Sequence, residues 1–473
     1  MKTLFLQAPS FDGFDGGAGS RFQAKREIKS FWYPTWLAQP AALVPDSRLL
    51  DAPADELNVE QTLAIAQDFE LVIMHTSTPS FATDARFAEL LKQRRSNIVV
   101  GMVGAKVAVD AEGSLLASPA IDFVAREEFD YTCKEIAEGL PFDQVVGISY
   151  RRADGTVKHN APRPMIENMD DLPFVAPIYK RDLTIKNYFL GYLNHPYVSF
   201  YTGRGCKSRC TFCLWPQTVG GHNYRTRSPE KVFEEVKWIK ENMPEVKEIM
   251  FDDDTFTDLR PRAEEIARGL GKLGVTWSCN AKANVPYSTL KIMKDNGLHL
   301  LLVGYESGDD RILVNIKKGL LTATARRFSE DCRKLGIVVH GTFILGLPGE
   351  TKDTIDKTIA FAKEINPHTI QVSLAAPYPG TFLYKQAVQN NWIPANDTVN
   401  LVNDKGVQLA TISYPHLSTE EIYHGVERFY KSFYFRPSKI WEIVREMLGD
   451  WDMLKRRLRE GVEFFSFLRA RET

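Results

Sequence analysis

The fold is decided by Tyr201-Thr-Gly-Arg-Gly-Cys206-Lys-Ser-Arg-Cys210-Thr-Phe-Cys213, a turn-rich stretch that carries three cysteines. The cysteines are separated by three and then by two residues. Three thiolates on one loop are suitable ligands for three irons of a cubic 4Fe-4S cluster, which normally binds four cysteines. Because no fourth cysteine is near in the sequence, one iron would stay open for a ligand that is not protein.

The three cysteines allow two other interpretations. A zinc site usually needs four ligands in paired spacing, and His222 is the nearest later candidate. A disulfide would leave one of the three cysteines unpaired. The zinc interpretation therefore remains an alternative, while the spacing favours an iron–sulfur cluster.

Length and composition indicate an ordinary globular protein. The chain has 473 residues, 44% hydrophobic and 25% charged, with a formal net charge of −1. Nucleic acid binding usually leaves a basic footprint, so we expect no nucleic acid partner. The sequence begins without a recognisable signal peptide and has no apolar run long enough to cross a bilayer. With six cysteines and no disulfide framework, the expected location is the cytoplasm.

The first part of the chain alternates between strand and helix patterns. Strands are predicted at 2–6, 47–51, 70–76 and 98–103, with helical patterns between them. Small polar residues follow the strands, as in an open, doubly wound parallel sheet. We therefore predict a Rossmann-like domain over 1–140 and a connector over 141–195. The connector contains a hairpin signal around Asp154-Gly155 and a proline-rich extended segment.

The second part of the chain alternates again and ends in a helical region. Six strands are predicted at 197–202, 248–251, 275–280, 298–304, 338–345 and 369–374. A domain is predicted over 196–385 and a mostly helical region over 386–473. Between 436 and 468 apolar residues recur at helical spacing, which indicates either helices that cap the domain or an amphipathic surface for a membrane or a lipid.

The three cysteines, with Phe212 directly before the last, resemble the signature of the radical S-adenosylmethionine (SAM) enzymes. This resemblance implies a 4Fe-4S cluster on Cys206, Cys210 and Cys213, whose open iron chelates the amino and carboxylate groups of SAM. Reductive cleavage of SAM then gives a 5′-deoxyadenosyl radical. The six β/α units resemble the partial (β/α)6 TIM barrel of this family, in which chemistry occurs at the carboxyl ends of the strands.

Polar and small residues follow the predicted barrel strands, and the resemblance implies that they bind SAM. Asp253 and Asp254 lie where the family holds the amino group, and Asn280 and Lys282 where a cation could meet the carboxylate. Glu306 lies where the family binds the ribose hydroxyls. The remaining implied contacts, in motifs after the first, fourth, fifth and sixth strands, are Phe212, Ser307, Thr342, Gly346 and Pro379.

The first domain resembles the cobalamin-binding-type domain that precedes many radical SAM barrels. The Asp-x-His-x-x-Gly motif that supplies a histidine to cobalt is absent, and His75 lies at a strand end instead. We expect a vestigial domain that helps to form a substrate pocket, with bound cobalamin as the alternative.

Missing cysteines narrow the choice of enzyme. Methylthiolating tRNA enzymes carry a second cluster on three upstream cysteines, but here Cys133 alone precedes the triad. Cys279 and Cys332 are isolated and are expected to be core residues. We therefore expect one cluster.

The whole chain is most similar to the hopanoid-biosynthesis-associated radical SAM proteins, through segments 9–20 and 27–40. This similarity implies contraction of the glucosamine ring of a bacteriohopanetetrol lipid to the cyclitol ether, a reaction that does not require cobalamin. It also implies an electron donor such as flavodoxin or ferredoxin and contact with the inner membrane surface. The alternatives are a cobalamin-dependent radical methyltransferase and a non-catalytic cobalamin- or metal-binding regulator.

Overall fold

The computed structural model describes residues 1–11, 30–393, 401–402, 408–449, 458–463, 465–466 and 469. Segments 9–20 and 27–40, which carry the hopanoid resemblance, therefore lie partly outside the described residues. Three residues of the predicted C-terminal helical pattern also lie outside the described residues: Trp451, Leu454 and Leu468.

The first sheet has seven strands within the described residues, in the order β2-β1-β3-β4-β5-β6-β7. The strands β1 to β5 pair in parallel, whereas β6 and β7 pair antiparallel. The bounds are β1 Thr3–Gln7, β2 Ser47–Asp51, β3 Leu71–His75, β4 Val99–Val103, β5 Phe123–Ala125, β6 Ile148–Arg151 and β7 Val157–His159.

Helices α1 to α6 lie between these strands, and α7 follows the last of them. Their bounds are α1 Thr35–Leu43, α2 Val59–Ala66, α3 Phe81–Arg94, α4 Ala105–Val109, α5 Ala111–Ala117, α6 Asp130–Ala137 and α7 Ala176–Asp182, with 3-10 turns at Phe142–Gln144, Met169–Asp171 and Ile185–Asn187. Local sequence sets several of their starts. Asn58 and Gln61 form a reciprocal capping box on α2, and the Asp110 side chain caps α5.

Alternate side chains of the first sheet enter two different cores. Leu4 and Leu6 pack with Val72 in one apolar cluster, whereas Phe5 packs with Ile73 in another. Successive residues of a strand point to opposite faces, so both faces of the sheet are buried. The cluster that contains Phe5 continues into the second domain, and the two sheets therefore share one core.

Two features of the first sheet differ from the sequence prediction. The hairpin β6–β7 was assigned to the connector over 141–195, but it pairs with β5 and extends the first sheet past the boundary at 140. Strand β5 was not predicted, because its three residues are too few to give a periodic signal.

The second sheet has six parallel strands, in the order β15-β14-β13-β12-β11-β8 within the described residues. Their bounds are β8 Tyr197–Phe200, β11 Glu248–Phe251, β12 Trp277–Ala281, β13 Leu298–Glu306, β14 Val338–Leu345 and β15 Thr369–Leu374. A small antiparallel pair, β9 Gly203–Arg204 and β10 Arg225–Thr226, follows β8. The predicted α/β class, with a parallel partial barrel after a doubly wound sheet, is confirmed.

The barrel helices lie between its strands, and further helices follow the last strand. The bounds are α8 Leu214–Thr218, α9 Pro229–Asn242, α10 Arg260–Leu273, α11 Tyr287–Asp295, α12 Asp310–Asn315, α13 Thr322–Leu335, α14 Lys352–Ile365, α15 Phe382–Gln389, α16 Thr419–Tyr434 and α17 Pro437–Gly449, with a 3-10 turn at Phe256–Asp258. Residues 458–463 are also helical. Helix α16 packs on β14 and β15, so a helical C-terminal region is present as predicted. Among the described residues, no helix combines the length and apolar character needed to span a bilayer.

Candidate active site

The cysteine loop begins and ends at the antiparallel pair β9–β10. The Cys206 amide donates to the Gly221 carbonyl at 3.2 Å, which draws the two sides of the loop together. Gly205 has a φ of +88°, and a Cβ at this position would lie 2.3 Å from the Asn223 carbonyl oxygen. Glycine is therefore required directly before the first cysteine.

One side chain ties the two later cysteines together. The Gln217 amide nitrogen, on α8, donates to the carbonyl oxygens of Cys213 at 2.7 Å and Cys210 at 3.2 Å. Its Oε1 accepts from the Phe382 amide at 2.8 Å, which fixes the direction of the side chain. Sequence reasoning missed Gln217, because a glutamine four residues after a cysteine has no distinctive signal.

The three thiols are shielded from solvent. Cys206 and Cys210 are buried and Cys213 is partly buried. Burial raises the pKa of the Cys210 thiol and raises that of Cys213 well above its usual range. Metal ligands must be thiolates, so iron binding at this loop has to displace protons.

The three cysteines line one cavity of about 370 Å³ at the carboxyl end of the barrel. Most residues predicted to bind SAM share this cavity. They are Phe212, Asp254, Asn280, Lys282, Glu306 and Thr342. The predicted residues that do not line it are Asp253, Ser307, Gly346 and Pro379.

Asp253 was predicted to contact SAM, but its carboxylate has a structural role. It accepts hydrogen bonds from the Thr202 amide and hydroxyl, both at 2.6 Å, and from the Tyr224 hydroxyl at 2.6 Å. These contacts hold the fully buried side chain against Thr202 and Tyr224. Asp253 therefore faces away while Asp254 lines the cavity.

Ser307 and Gly346 also lie behind the cavity wall. The Ser307 hydroxyl contacts the Thr358 hydroxyl at 3.2 Å, which joins β13 to α14. The Gly346 amide donates to the buried Glu350 carboxylate, and its carbonyl accepts from the Tyr414 hydroxyl at 2.9 Å. Pro379 is partly buried outside the cavity, while its neighbour Tyr378 is part of the wall.

Asn280 offers a hydrogen-bond acceptor to a ligand. Its amide nitrogen donates to Asp252 Oδ1 at 3.1 Å and to the Asp253 carbonyl at 2.9 Å. This fixes the orientation of the side chain, and its buried Oδ1 has no hydrogen-bond partner among the described residues. A buried acceptor without a partner costs free energy, so this atom fits a donor group of a bound molecule.

A buried ion pair forms another part of the wall. Lys318 Nζ lies 2.6 Å from Glu306 Oε1, and both residues line the cavity. Burial lowers the pKa of Lys318, but the Glu306 carboxylate and the Cys210 sulfur outweigh it and hold the pKa above its usual range. Glu306 itself has a φ of +64°, where β13 departs from regular pairing with β14. Lys318 comes from the loop after α12, so strand-end reasoning could not identify it.

The first domain supplies one wall of the same cavity. Trp32 and Pro79 line it together with Trp215 of α8. Trp215 stacks on Trp36 of α1 with ring centroids 5.1 Å apart. The carboxyl ends of the barrel strands and the strand-end loop after β3 therefore meet at one cavity.

A buried charge network, here called the acidic latch, joins the cysteine loop to the first domain. Arg204 donates to both carboxylate oxygens of Asp130, at 2.6 and 3.1 Å, and Arg225 donates to both oxygens of Glu128, at 2.6 and 2.9 Å. All four side chains are buried. Bidentate pairs fix the relative orientation of two segments more strictly than single contacts.

The cysteine loop, with His222, is not arranged as a site for a single metal ion such as zinc. His222 Nδ1 lies 3.2 Å from the Cys206 carbonyl oxygen, a contact that orients the loop. Across the described parts of the chain, no group of three or more His, Cys, Asp or Glu side chains is arranged to hold one metal ion. Cys133, Cys279 and Cys332 are buried away from this cavity.

Known proteins are similar to this chain in sequence and in fold. Residues 200–362 match the radical SAM superfamily. The chain is 31% identical over 453 residues to the "Uncharacterized methyltransferase PH0819" of Pyrococcus horikoshii, which covers 92% of this chain and 94% of that protein.

Two solved structures have the same fold at low sequence identity. The cobalamin-dependent S-adenosylmethionine radical enzyme OxsB, with aqua-cobalamin and SAM bound, superposes with a TM-score of 0.69 at 14% identity, over 98% of this chain and 72% of OxsB. The radical SAM methyltransferase TsrM of Kitasatospora setae gives a TM-score of 0.64 at 14% identity, over 82% and 77% of the two chains. Together with the cysteine loop and its cavity, the full-length relationship leads to one conclusion: this chain is a member of the radical SAM superfamily and a radical SAM enzyme.

Proposed function

We propose that this protein is a cobalamin-dependent radical SAM methyltransferase. The observation that carries the proposal is the cavity itself, which is lined by the three cysteines on one side and by Trp32 and Pro79 of the first domain on the other. A cluster and SAM held by the barrel would therefore share one chamber with a group held by the first domain. When bound, the cluster supplies the electron that cleaves SAM, and cobalamin supplies a carrier for the methyl group.

The residues present fit the cluster and SAM. Three thiols on one loop match the ligand preference of an iron–sulfur cluster, and the cavity has no further cysteine in its wall. The Asn280 acceptor and the buried Lys318–Glu306 pair give the chamber polar groups for a zwitterionic ligand. We further propose that flavodoxin or ferredoxin delivers the electron.

The first domain also fits a bound cofactor at its sheet end. Ligands of open parallel sheets bind beyond the carboxyl ends of the strands. There, Gln7 Oε1 at the end of β1 and His75 Nε2 at the end of β3 are buried without a hydrogen-bond partner among the described residues. Burial lowers the pKa of His75 to about 4, so its imidazole is neutral near pH 7. These atoms favour a cofactor-binding domain over the vestigial one expected from the sequence.

The relatives favour methyl transfer over the ring contraction expected from the hopanoid resemblance. PH0819 and TsrM are named as methyltransferases, and OxsB is a cobalamin-dependent enzyme. These comparisons do not support the hopanoid assignment. Cobalamin, which the sequence analysis treated as the alternative, becomes part of the main proposal.

The test uses anaerobically reconstituted protein with SAM, a chemical reductant and hydroxocobalamin. We expect about one cobalamin bound per chain, formation of methylcobalamin, and S-adenosylhomocysteine as the SAM product. The test variant is Cys213→Ala, which removes a thiol of the cavity wall. Its control is Cys279→Ala, which removes a buried thiol outside the cavity.

Two results would overturn the proposal. The first is reductive SAM cleavage with no bound cobalamin and no methylcobalamin. The second is an isomeric lipid product from glucosaminyl bacteriohopanetetrol without cobalamin, which would restore the ring contraction.

A further inference from the structure

A second cavity of about 320 Å³ lies beneath the C-terminal helices, beside the one that contains the cysteines. It is lined by β14 and β15, by the segment around Leu190, by α16 and α17, and by Glu460, Gly461 and Phe465. Its volume is in the range of cavities that bind small organic molecules. None of the proposed cluster, SAM or cobalamin contacts is part of its wall.

Several polar groups of the wall already bond within the protein. Tyr430 and Tyr434 hydroxyls accept from the Val372 and Ile370 amides, at 2.8 and 3.0 Å. His340 Nδ1 contacts the Thr369 hydroxyl at 2.8 Å, and its ring stacks on Tyr192 with centroids 4.1 Å apart. What remains for a ligand is mainly carbon surface, which favours hydrocarbon over charged or strongly polar groups.

The apolar cavity and the cysteine cavity meet at one side chain. Trp32 lines both, and it is 7% exposed. On the inner face of β14, His340 belongs to the apolar cavity and the next inward residue, Thr342, to the cysteine cavity. A molecule in the apolar cavity therefore lies directly next to the chamber in which methyl transfer is proposed.

Exposed apolar side chains surround the opening. Phe435, Ile440, Val444 and Phe465 line the cavity and are also 36–53% exposed. Large apolar groups that stay in contact with water at the rim of a cavity mark a site for an apolar partner. An apolar ligand would bury part of this rim as it binds.

We infer that this cavity binds a hydrocarbon portion of the methyl acceptor, with Trp32 between that portion and the cysteines. The inference rests on the proposed function for the reaction, and it adds the chemical class of the substrate. The acceptor is then an amphipathic molecule whose apolar part is held by α16, α17 and β15.

The experiment measures binding of the neutral fluorescent probe N-phenyl-1-naphthylamine to the full chain, without SAM or reductant. We expect saturable binding of about one probe per chain. Val444→Asp places a charge at the rim and should weaken binding about tenfold or more, because a carboxylate loses hydration when the probe covers it. Thermal unfolding of each variant checks that the fold is retained.

Two matched variants separate the cavity from adsorption to exposed apolar groups. Leu448 is on the same helix but outside the cavity wall and is 79% exposed; Leu116, on α5 of the first domain, is 60% exposed. Leu448→Asp and Leu116→Asp should change the affinity less than twofold.

The outcomes distinguish this inference from the proposed function. Several weak probe sites per chain that Leu448→Asp reduces, or no binding at all, would overturn the inference even if methylcobalamin forms. Specific probe binding without methylcobalamin formation would instead overturn the proposed function and leave the apolar site in place.

Discussion

The ligand set is the best-defined feature at the scale of single residues. Cys206, Cys210 and Cys213 share one cavity, while the other cysteines are buried in the cores of the two domains. This separation makes cysteine substitution a selective test, because a thiol in the core and a thiol in the cavity have similar volume and burial but different roles.

Replacing any one cavity cysteine by alanine should abolish iron binding and 5′-deoxyadenosine formation. With one cysteine removed, two thiolates would remain for a cubic cluster that normally binds four cysteines. Iron content, visible absorbance and SAM products would be measured on anaerobically reconstituted protein. Cys279→Ala is the control, and a triad variant that retains SAM cleavage would contradict the assignment.

Glu350 predicts a pH dependence of stability. Burial raises its pKa to about 8, from an ordinary value of 4.5. The folded protein therefore holds a proton that the unfolded chain releases, so this stabilisation is complete below pH 4.5 and is lost as the pH rises through about 8. The free energy of unfolding should fall by a few kcal/mol across this window.

Glu350→Gln should flatten that pH dependence, because glutamine is neutral throughout. The unfolding midpoint of the apo-protein would be followed from pH 5 to about pH 8.5. Glu330→Gln is the control, since Glu330 is on the exposed side of α13 in a surface pair with Lys334. An equal slope in wild type and Glu350→Gln would argue against a buried neutral carboxyl.

At the scale of structural elements, alanine substitutions at two glycines test whether the turn before the cysteines requires glycine. Gly205 and Gly155 have φ values of +88° and +84°, but a Cβ on Gly155 would have no neighbour within 4 Å. Alanine should cost about 1–2 kcal/mol at either site from backbone strain alone. Gly205→Ala should cost more, because its methyl group would meet the Asn223 carbonyl oxygen.

The measurements are the unfolding midpoint and the iron bound per chain. We expect Gly155→Ala to keep a full cluster and Gly205→Ala to lose iron, since the turn sets the position of Cys206. If both variants behave alike, the close approach at Gly205 has no effect on the site.

The barrel strands were predictable because parallel strands covered on both faces appear as continuous apolar runs. Strand β5 was not, since three residues between turns carry no period. The direction in which the side chain of a strand-end residue points could not be predicted from the sequence either. Asp253 and Asp254 are neighbours of the same type, and only the folded chain reveals that Thr202 and Tyr224 bind the first of them.

The parts of the site that sequence could not supply come from distant segments. Lys318 pairs with Glu306 across a loop, and Trp32 enters from the first domain. Neither has a motif, because their role depends on tertiary packing and not on spacing along the chain. The cysteines could be recognised because their ligand chemistry requires a fixed local spacing.

At the scale of the whole molecule, the acidic latch joins the two domains at the cysteine loop. Asp130→Asn should destabilise the protein by roughly 3–5 kcal/mol, because Arg204 would keep its buried charge without its bidentate partner. Calorimetry of the apo-protein would measure this loss, and iron content would show whether the loop has moved.

The control for the latch is Asp295→Asn, which breaks an exposed pair with Lys291 on α11. Surface pairs contribute little, so its unfolding midpoint should stay close to that of the wild type. If the two substitutions have the same effect, the latch adds nothing beyond an ordinary ion pair.

The acidic latch also sets a rule for building hybrid enzymes. Arg204 and Arg225 belong to the catalytic barrel, whereas Glu128 and Asp130 belong to the first domain. Consider a chimera that joins this barrel to the first domain of a relative. Its two buried guanidinium groups would lack carboxylate partners unless Glu128 and Asp130 are kept together with the barrel. Exchange of the first domain between such enzymes is therefore expected to succeed when the junction is placed before Glu128, so that β6, β7 and the carboxylates stay with the barrel.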